Sequence, residues 1–200
     1  LGAFIVSEVM ARSTIPPESV DELVFGNVLS PPSSANIARI VAVKGGLPVK
    51  TPAYTVNRNC ASGLEAIVSA ADKITLGRGE IMVAGGTESM SNYPLVVKKG
   101  YREFLQKLGK AKTFGQKLSV FLGFRPSFIV PDIPEIADPL CGLSMGQTAE
   151  VLAREFRVTR KEQDEFSLLS QHRAEKAIAS GWLEEEIIPL PVPPTNTEMQ

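Results

Sequence analysis

Along the first hundred positions the apolar residues fall into alternating helix-like and strand-like stretches. Phe4 to Ala11 repeats at helical spacing, and Ile15-Pro16-Pro17-Glu18-Ser19 breaks it. The short apolar run Leu23-Val24-Phe25, closing on Gly26-Asn27, predicts a strand. Asn36 to Lys44 predicts a helix ended by Gly45-Gly46, and Ala53 to Val56 a second strand. From Ser62 to Leu76, the positions Leu64, Ile67, Val68, Ala71 and Ile74 predict a mostly buried helix stopped by Gly77. Ile81 to Ala84 predicts a third strand running into Gly85-Gly86. This alternation is α/β grammar, in which functional turns are expected at the C-terminal ends of the strands.

Beyond Tyr93-Pro94 the pattern changes. Lys98 to Phe124 is rich in Lys, Leu and Phe at near-helical spacing and predicts two short amphipathic helices, interrupted around Gly109 and Gly115. Ser127 to Cys141 reads as a proline-punctuated connector. Met145 to Phe156 and Thr159 to Gly181 predict two further helices, the second opened by a capping box of Thr159 and Glu162. The change of grammar places a domain boundary between residues 1–93 and 94–200.

Composition adds little to this picture and charge adds more. With 44% hydrophobic and 22% charged residues, the 200-residue chain can bury a core of ordinary globular size. Two cysteines, Cys60 and Cys141, are too few for a disulfide scaffold and lack zinc-site spacing, so a reducing compartment is expected. No apolar stretch reaches the roughly 18 residues of a membrane span. Leu1 to Phe4 already lies within a helical pattern, and the chain reads as a piece of a longer protein without a secretory leader. The net charge of −1 conceals three blocks. Residues 1–97 carry 7 basic and 8 acidic groups, residues 98–125 carry 8 and 1, and residues 132–200 carry 6 and 13. A basic middle of this kind suits a local anionic partner and not a nucleic-acid-binding protein.

The candidate chemistry centres on Cys60. In Val56-Asn57-Arg58-Asn59-Cys60-Ala61-Ser62-Gly63 the thiol stands where a short strand ends and a helix of small residues begins. A helix start presents unpaired backbone N–H groups and the positive end of the helix dipole, which can hold a developing oxyanion. A buried structural cysteine is the competing reading. The one histidine, His172, lies mid-helix among polar residues and reads as solvated, which argues against a Cys60–His172 dyad. Glu88, after Gly85-Gly86, is either an acid/base carboxylate or, more commonly in such a turn, an acceptor of backbone hydrogen bonds.

These segments resemble the thiolase family. Val56 to Ile67 is similar to its nucleophile segment, and Val83-Ala84-Gly85-Gly86-Thr87-Glu88-Ser89-Met90-Ser91 to its Gly-Gly turn. Phe25-Gly26-Asn27-Val28, Gly46-Leu47-Pro48 and Met145-Gly146-Gln147-Thr148-Ala149-Glu150 match in the family's order. The resemblance implies an α/β fold of five layers, α-β-α-β-α, made of two similar halves. Residues 1–93 would be the N-terminal half without its first strand, and residues 94–200 an inserted, mainly helical loop domain with its basic segment at 98–125. The second half, which in thiolases supplies an activating His and an acid/base Cys, has no counterpart here. Cys141 is therefore read as structural, and this stretch alone is expected to be inactive.

By the same resemblance Cys60 is the catalytic nucleophile. Met145 is a substrate-binding residue beside the acyl group, with a first-turn core methionine as the alternative. The implied activity is acyl transfer in fatty acid β-oxidation: 3-ketoacyl-CoA and CoA give acetyl-CoA and a shortened acyl-CoA, with CoA as substrate and no cofactor or metal. The basic insert, and Ser144 where short-chain biosynthetic thiolases usually carry His, look most like the thiolase subunits of fatty-acid-oxidation complexes. An acetoacetyl-CoA-type biosynthetic thiolase, a carrier-protein-dependent β-ketoacyl synthase and a non-catalytic lipid-binding or scaffold protein are the alternatives. A homodimer or higher oligomer, a hydratase/dehydrogenase partner subunit and a peripheral membrane contact through 98–125 are expected, with the last open between membrane, partner and CoA phosphates. The expected compartment is the cytoplasm in a bacterium and the mitochondrion in a eukaryote.

Overall fold

The structure is a computed structural model that describes residues 1–31, 33–92, 97–130 and 137–190. The chain divides into two compact units, Leu1–Pro94 with Ile188–Gln200, and Leu95–Ile187.

Three short parallel strands, β1 (Glu22–Gly26), β2 (Ala53–Val56) and β3 (Met82–Gly86), form the sheet of the first unit in the order β2-β1-β3. Helix α1 (Gly2–Ser13) precedes the sheet, α2 (Ile37–Lys44) connects β1 to β2, and α3 (Ser62–Thr75) connects β2 to β3. These helical crossovers are what a parallel sheet requires. Gly26 is in register with both Val56 and Gly86, so the three strands end on one row. The turns that follow them consequently leave the sheet side by side.

Central strand β1 is covered on both faces, which explains its unbroken apolar run. Leu23 and Phe25 join Val6, Met10, Ala38, Val41, Ala42 and Leu47 in a core under α1 and α2. Val24, of opposite parity, is equally buried, and α3 packs against β1 with Ala66 and Ala70 buried. The first unit is thus a helix, sheet, helix sandwich.

The face that α3 buries differs from the one its periodicity predicts. Its buried positions are Ser62, Ala66 and Ala70, spaced by four, whereas Leu64 and Ile67 are 64% and 56% exposed. Val68 and Ile74 are also exposed. The small residues let α3 lie close on the sheet, and its large apolar stripe points the other way. At about 1.5–3 kcal/mol for each such side chain fully buried, and with about half of their surface still exposed, these four leave roughly 3–6 kcal/mol of burial unrealised in this chain.

Four helices make up most of the second unit: α4 (Lys99–Lys110), α5 (Phe114–Leu122), α6 (Met145–Glu155) and α7 (Arg160–Ala179). The break between α4 and α5 falls at 111–113, and Gly109 and Gly115 lie within helices, contrary to the sequence expectation. Thr113 accounts for this, because its capping box with Gln116 starts α5 one residue before Gly115. Phe104 packs on Phe121 and Phe124 at ring-centroid distances of 5.5 and 4.7 Å, joining α4 to α5, and Phe124 packs in turn on Phe128 of the turn Pro126–Phe128 at 6.2 Å. Thr159 and Glu162 form the expected capping box of α7. A second box of Ser144 and Gln147 opens α6.

Candidate active site

Cys60 lies exposed in the turn between β2 and α3. The turn is shaped by side chains that bond to its own backbone. Asn57 Oδ1 accepts the Asn59 N–H at 3.0 Å, and Ser62 Oγ accepts the Arg58 N–H at 2.9 Å while donating to the Asn59 carbonyl at 2.6 Å. Asn59 is left-handed, with φ 49°, a conformation that asparagine tolerates better than most residues. Arg58 closes the outside of the turn by pairing with Glu65 on the first turn of α3.

The thiol stands in the strand-to-helix turn where the sequence placed it, one residue before the N-cap of α3, Ala61. The N–H groups of Ala61 and Ser62 are already used, donating to the carbonyls of Arg58 and Asn59 at 3.1 Å each. The amides of Cys60, Gly63 and Leu64 enter none of the hydrogen bonds formed among the described residues. An accessible sulfur beside free backbone donors is the arrangement that acyl chemistry needs: a nucleophile with somewhere to place negative charge.

Gly26 explains how the turn comes so close to the sheet. A Cβ on Gly26 would stand 2.6 Å from the carbonyl carbon and oxygen of Ser62 and 2.9 Å from the Gly63 nitrogen. Only a bare backbone at the end of β1 lets the start of α3 rest there. The neighbouring turns are tied together by Glu88, whose carboxylate accepts the Val28 N–H at 2.8 Å, the Leu29 N–H at 3.3 Å and Asn27 Nδ2 at 3.2 Å. Asn27 Nδ2 also donates to the Thr87 carbonyl at 2.8 Å. Glu88 therefore binds backbone and turns, the more common of its two sequence readings. Asn57 Nδ2 extends the lacing by donating to the Val28 carbonyl at 3.3 Å.

The other sequence candidates lie in the second unit. Met145 is the first residue of α6 and is exposed. Ser144 before it accepts the Gln147 N–H, and Gln147 Oε1 accepts the Ser144 N–H, which fixes the start of that helix. Cys141 is free and exposed in the turn that precedes Ser144. Its neighbour Gly142 donates to the Asp138 carbonyl at 2.7 Å. His172 is exposed on α7, as its polar neighbours suggested. Sequence reading missed the parts played by Asn57, Ser62 and Gly26. Asn and Ser within three residues of a turn, and Gly at a strand end, were the signals available.

The family described as "Thiolase, N-terminal domain" matches residues 1–200. A 3-ketoacyl-CoA thiolase of Pectobacterium carotovorum subsp. carotovorum is 40% identical over 194 residues, 97% of this chain and 44% of that protein. One from Yersinia pestis is 39% identical over the same shares. The chain thus spans somewhat less than half the length of these relatives. Among solved structures, the acetyl-CoA acetyltransferase of Bacillus anthracis superposes with TM-score 0.75 and 34% identity, over 96% of this chain and 45% of that one. The Acat5 thiolase of Ascaris suum, solved in complex with coenzyme A, gives TM-score 0.75 and 30% identity over 95% and 45%. The fold is the thiolase-like α/β fold, and the chain belongs to the thiolase family.

Proposed function

We propose that the whole protein is a 3-ketoacyl-CoA thiolase and that Cys60 is its nucleophile. The observation that carries this reading is the exposed Cys60 sulfur in a turn whose own amide and those of Gly63 and Leu64 remain available as donors. In the reaction the Cys60 thiolate attacks the 3-keto carbon and the carbonyl oxygen takes the negative charge. As that oxyanion collapses, the C2–C3 bond breaks and its electron pair leaves on C2 as the acetyl-CoA enolate, which is then protonated. Acyl-Cys60 is left as a thioester. A second CoA, deprotonated at sulfur, attacks it, releases an acyl-CoA shorter by two carbons and regenerates the thiolate. Dividing one difficult transfer between two thioester exchanges is the contribution of covalent catalysis.

Proton transfers to and from these groups fall to the His and Cys that the family resemblance places in the second half. Met145 is the residue in this reading that touches the acyl chain, where a flexible thioether accommodates chains of varied shape. The whole protein, incubated with a 3-ketoacyl-CoA and CoA, should yield acetyl-CoA and the acyl-CoA two carbons shorter by mass spectrometry. Cys60→Ala should abolish both products. Absence of products with the native protein, or their persistence in Cys60→Ala, would contradict the reading.

We further propose that α4 and α5 contact a membrane surface. Phe114, Leu118, Phe121 and Leu122 follow one another at helical spacing and are all exposed. Lys98, Lys99, Arg102, Lys107, Lys110, Lys112, Lys117 and Arg125 share this segment with the single acid Glu103. Apolar side chains flanked by lysines suit the surface of an anionic bilayer. Vesicles of phosphatidylcholine with phosphatidylserine should bind the protein, and neutralising Lys98, Lys99, Arg102 and Lys107 should weaken that binding. Unchanged binding after neutralisation would show that these residues do not hold the protein on the bilayer.

A further inference from the structure

We infer that Ser62 is a positioning residue that aims the Cys60 amide, a role resting on the thiolase reading of Cys60. Two donors from the start of α3 converge on the Asn59 carbonyl: the Ser62 N–H at 3.1 Å and the Ser62 hydroxyl at 2.6 Å. The Asn59–Cys60 peptide is trans, as are the others among the described residues. In a planar trans peptide the carbonyl and the following N–H point in opposite directions. Holding the Asn59 oxygen toward the helix start therefore turns the Cys60 N–H away from it. That amide enters no hydrogen bond among the described residues and remains free to meet the oxygen of a bound acyl group.

The same hydroxyl also accepts the Arg58 N–H at 2.9 Å, so it holds the residue two before the thiol as well as the one next to it. Ser62 is itself buried, at 5% exposure. Its action passes through the backbone. Asn59, held at φ 49°, leaves the α-helical region to make this geometry, and the Ser62 hydroxyl bonds both flanks of that strained residue. Without the hydroxyl, the Asn59–Cys60 peptide is held by one donor and can rotate, taking the amide off its target while the sulfur stays accessible.

The test separates a reaction that uses the amide from one that does not. In the whole protein, acylation of Cys60 by a 3-ketoacyl-CoA needs an oxyanion donor, whereas alkylation of the same sulfur by iodoacetamide does not. Ser62→Ala should lower the acylation rate at least about tenfold and leave the alkylation rate within about twofold. Ser62→Thr, which keeps the hydroxyl, should recover most of the loss. Equal acylation in Ser62→Ala and the native protein would overturn the inference. So would a parallel fall in both rates, or no recovery in a folded Ser62→Thr, since these mark general damage to the turn. If the native protein itself forms no acyl-Cys60, the thiolase reading fails first, an outcome distinct from any difference among the variants.

Discussion

Gly26→Ala tests the claim that the nucleophile turn stands on the bare end of β1. The added methyl would come within 2.6 Å of the Ser62 carbonyl carbon and oxygen, both main-chain atoms. Carbon contacts settle at about 3.5–4 Å, so the start of α3 must move off the sheet by roughly 1 Å. Overpacking of this kind costs about 1–3 kcal/mol. A shift of about 1 Å in a positioned nucleophile can lower its reaction about a hundredfold. Gly63→Ala is the comparator, because a Cβ there meets nothing within 4 Å and sits on the helix. Alanine on a helix is favoured over glycine by up to about 1 kcal/mol, so this variant should be neutral or slightly stabilised. Urea denaturation of the whole protein, with the slope checked for constancy, gives the stability change. The rate of acyl-Cys60 formation gives the functional one. A Gly26→Ala protein with native midpoint and native acylation rate would refute the packing argument.

Glu88→Gln should reduce stability by about 1–3 kcal/mol without altering the shape of the pH–rate profile, because its carboxylate holds backbone amides; a lost acid or alkaline limb would show that it moves protons. Asn59→Val should destabilise by about 1–3 kcal/mol through its left-handed φ, and Asn59→Gly should not, as read from denaturation midpoints. The Glu80 and Ile81 N–H groups bond Asp21 Oδ2 at 2.7 and 3.0 Å, with that of Ile81 the larger influence, and they hold the Asp21 carboxyl below its ordinary range. A carboxyl depressed in the folded state contributes stability above its unfolded pKa and loses it as pH falls. Stability curves should therefore drop below about pH 4 and do so less in Asp21→Asn. An acid limb identical in both proteins would show that Asp21 contributes nothing there.

Much of the first unit was legible in the sequence because its signals are local. Strand β1 announced itself by a continuous apolar run, and α2 by Asn36, whose side chain accepts the Arg39 N–H at 3.3 Å as its cap. The buried face of α3 was not legible. Periodicity finds an apolar stripe but not its partner, and here the alanines opposite the stripe do the packing. The large residues Leu64, Ile67, Val68 and Ile74 await a surface that this chain does not provide, which agrees with relatives more than twice as long. At the site, Cys60 was legible from its residue type and small neighbours. The close approach at Gly26 and the peptide held by Ser62 depend on atoms 36 residues apart in one case and on a single rotamer in the other. No spacing rule carries either.

Whether Cys60 carries the acyl group can be read by mass spectrometry of the whole protein quenched during turnover of a 3-ketoacyl-CoA. An acyl adduct is expected on the peptide containing Cys60, absent from Cys60→Ser and discharged by added CoA. An adduct on Cys141, or none on Cys60 while substrate is consumed, would contradict it.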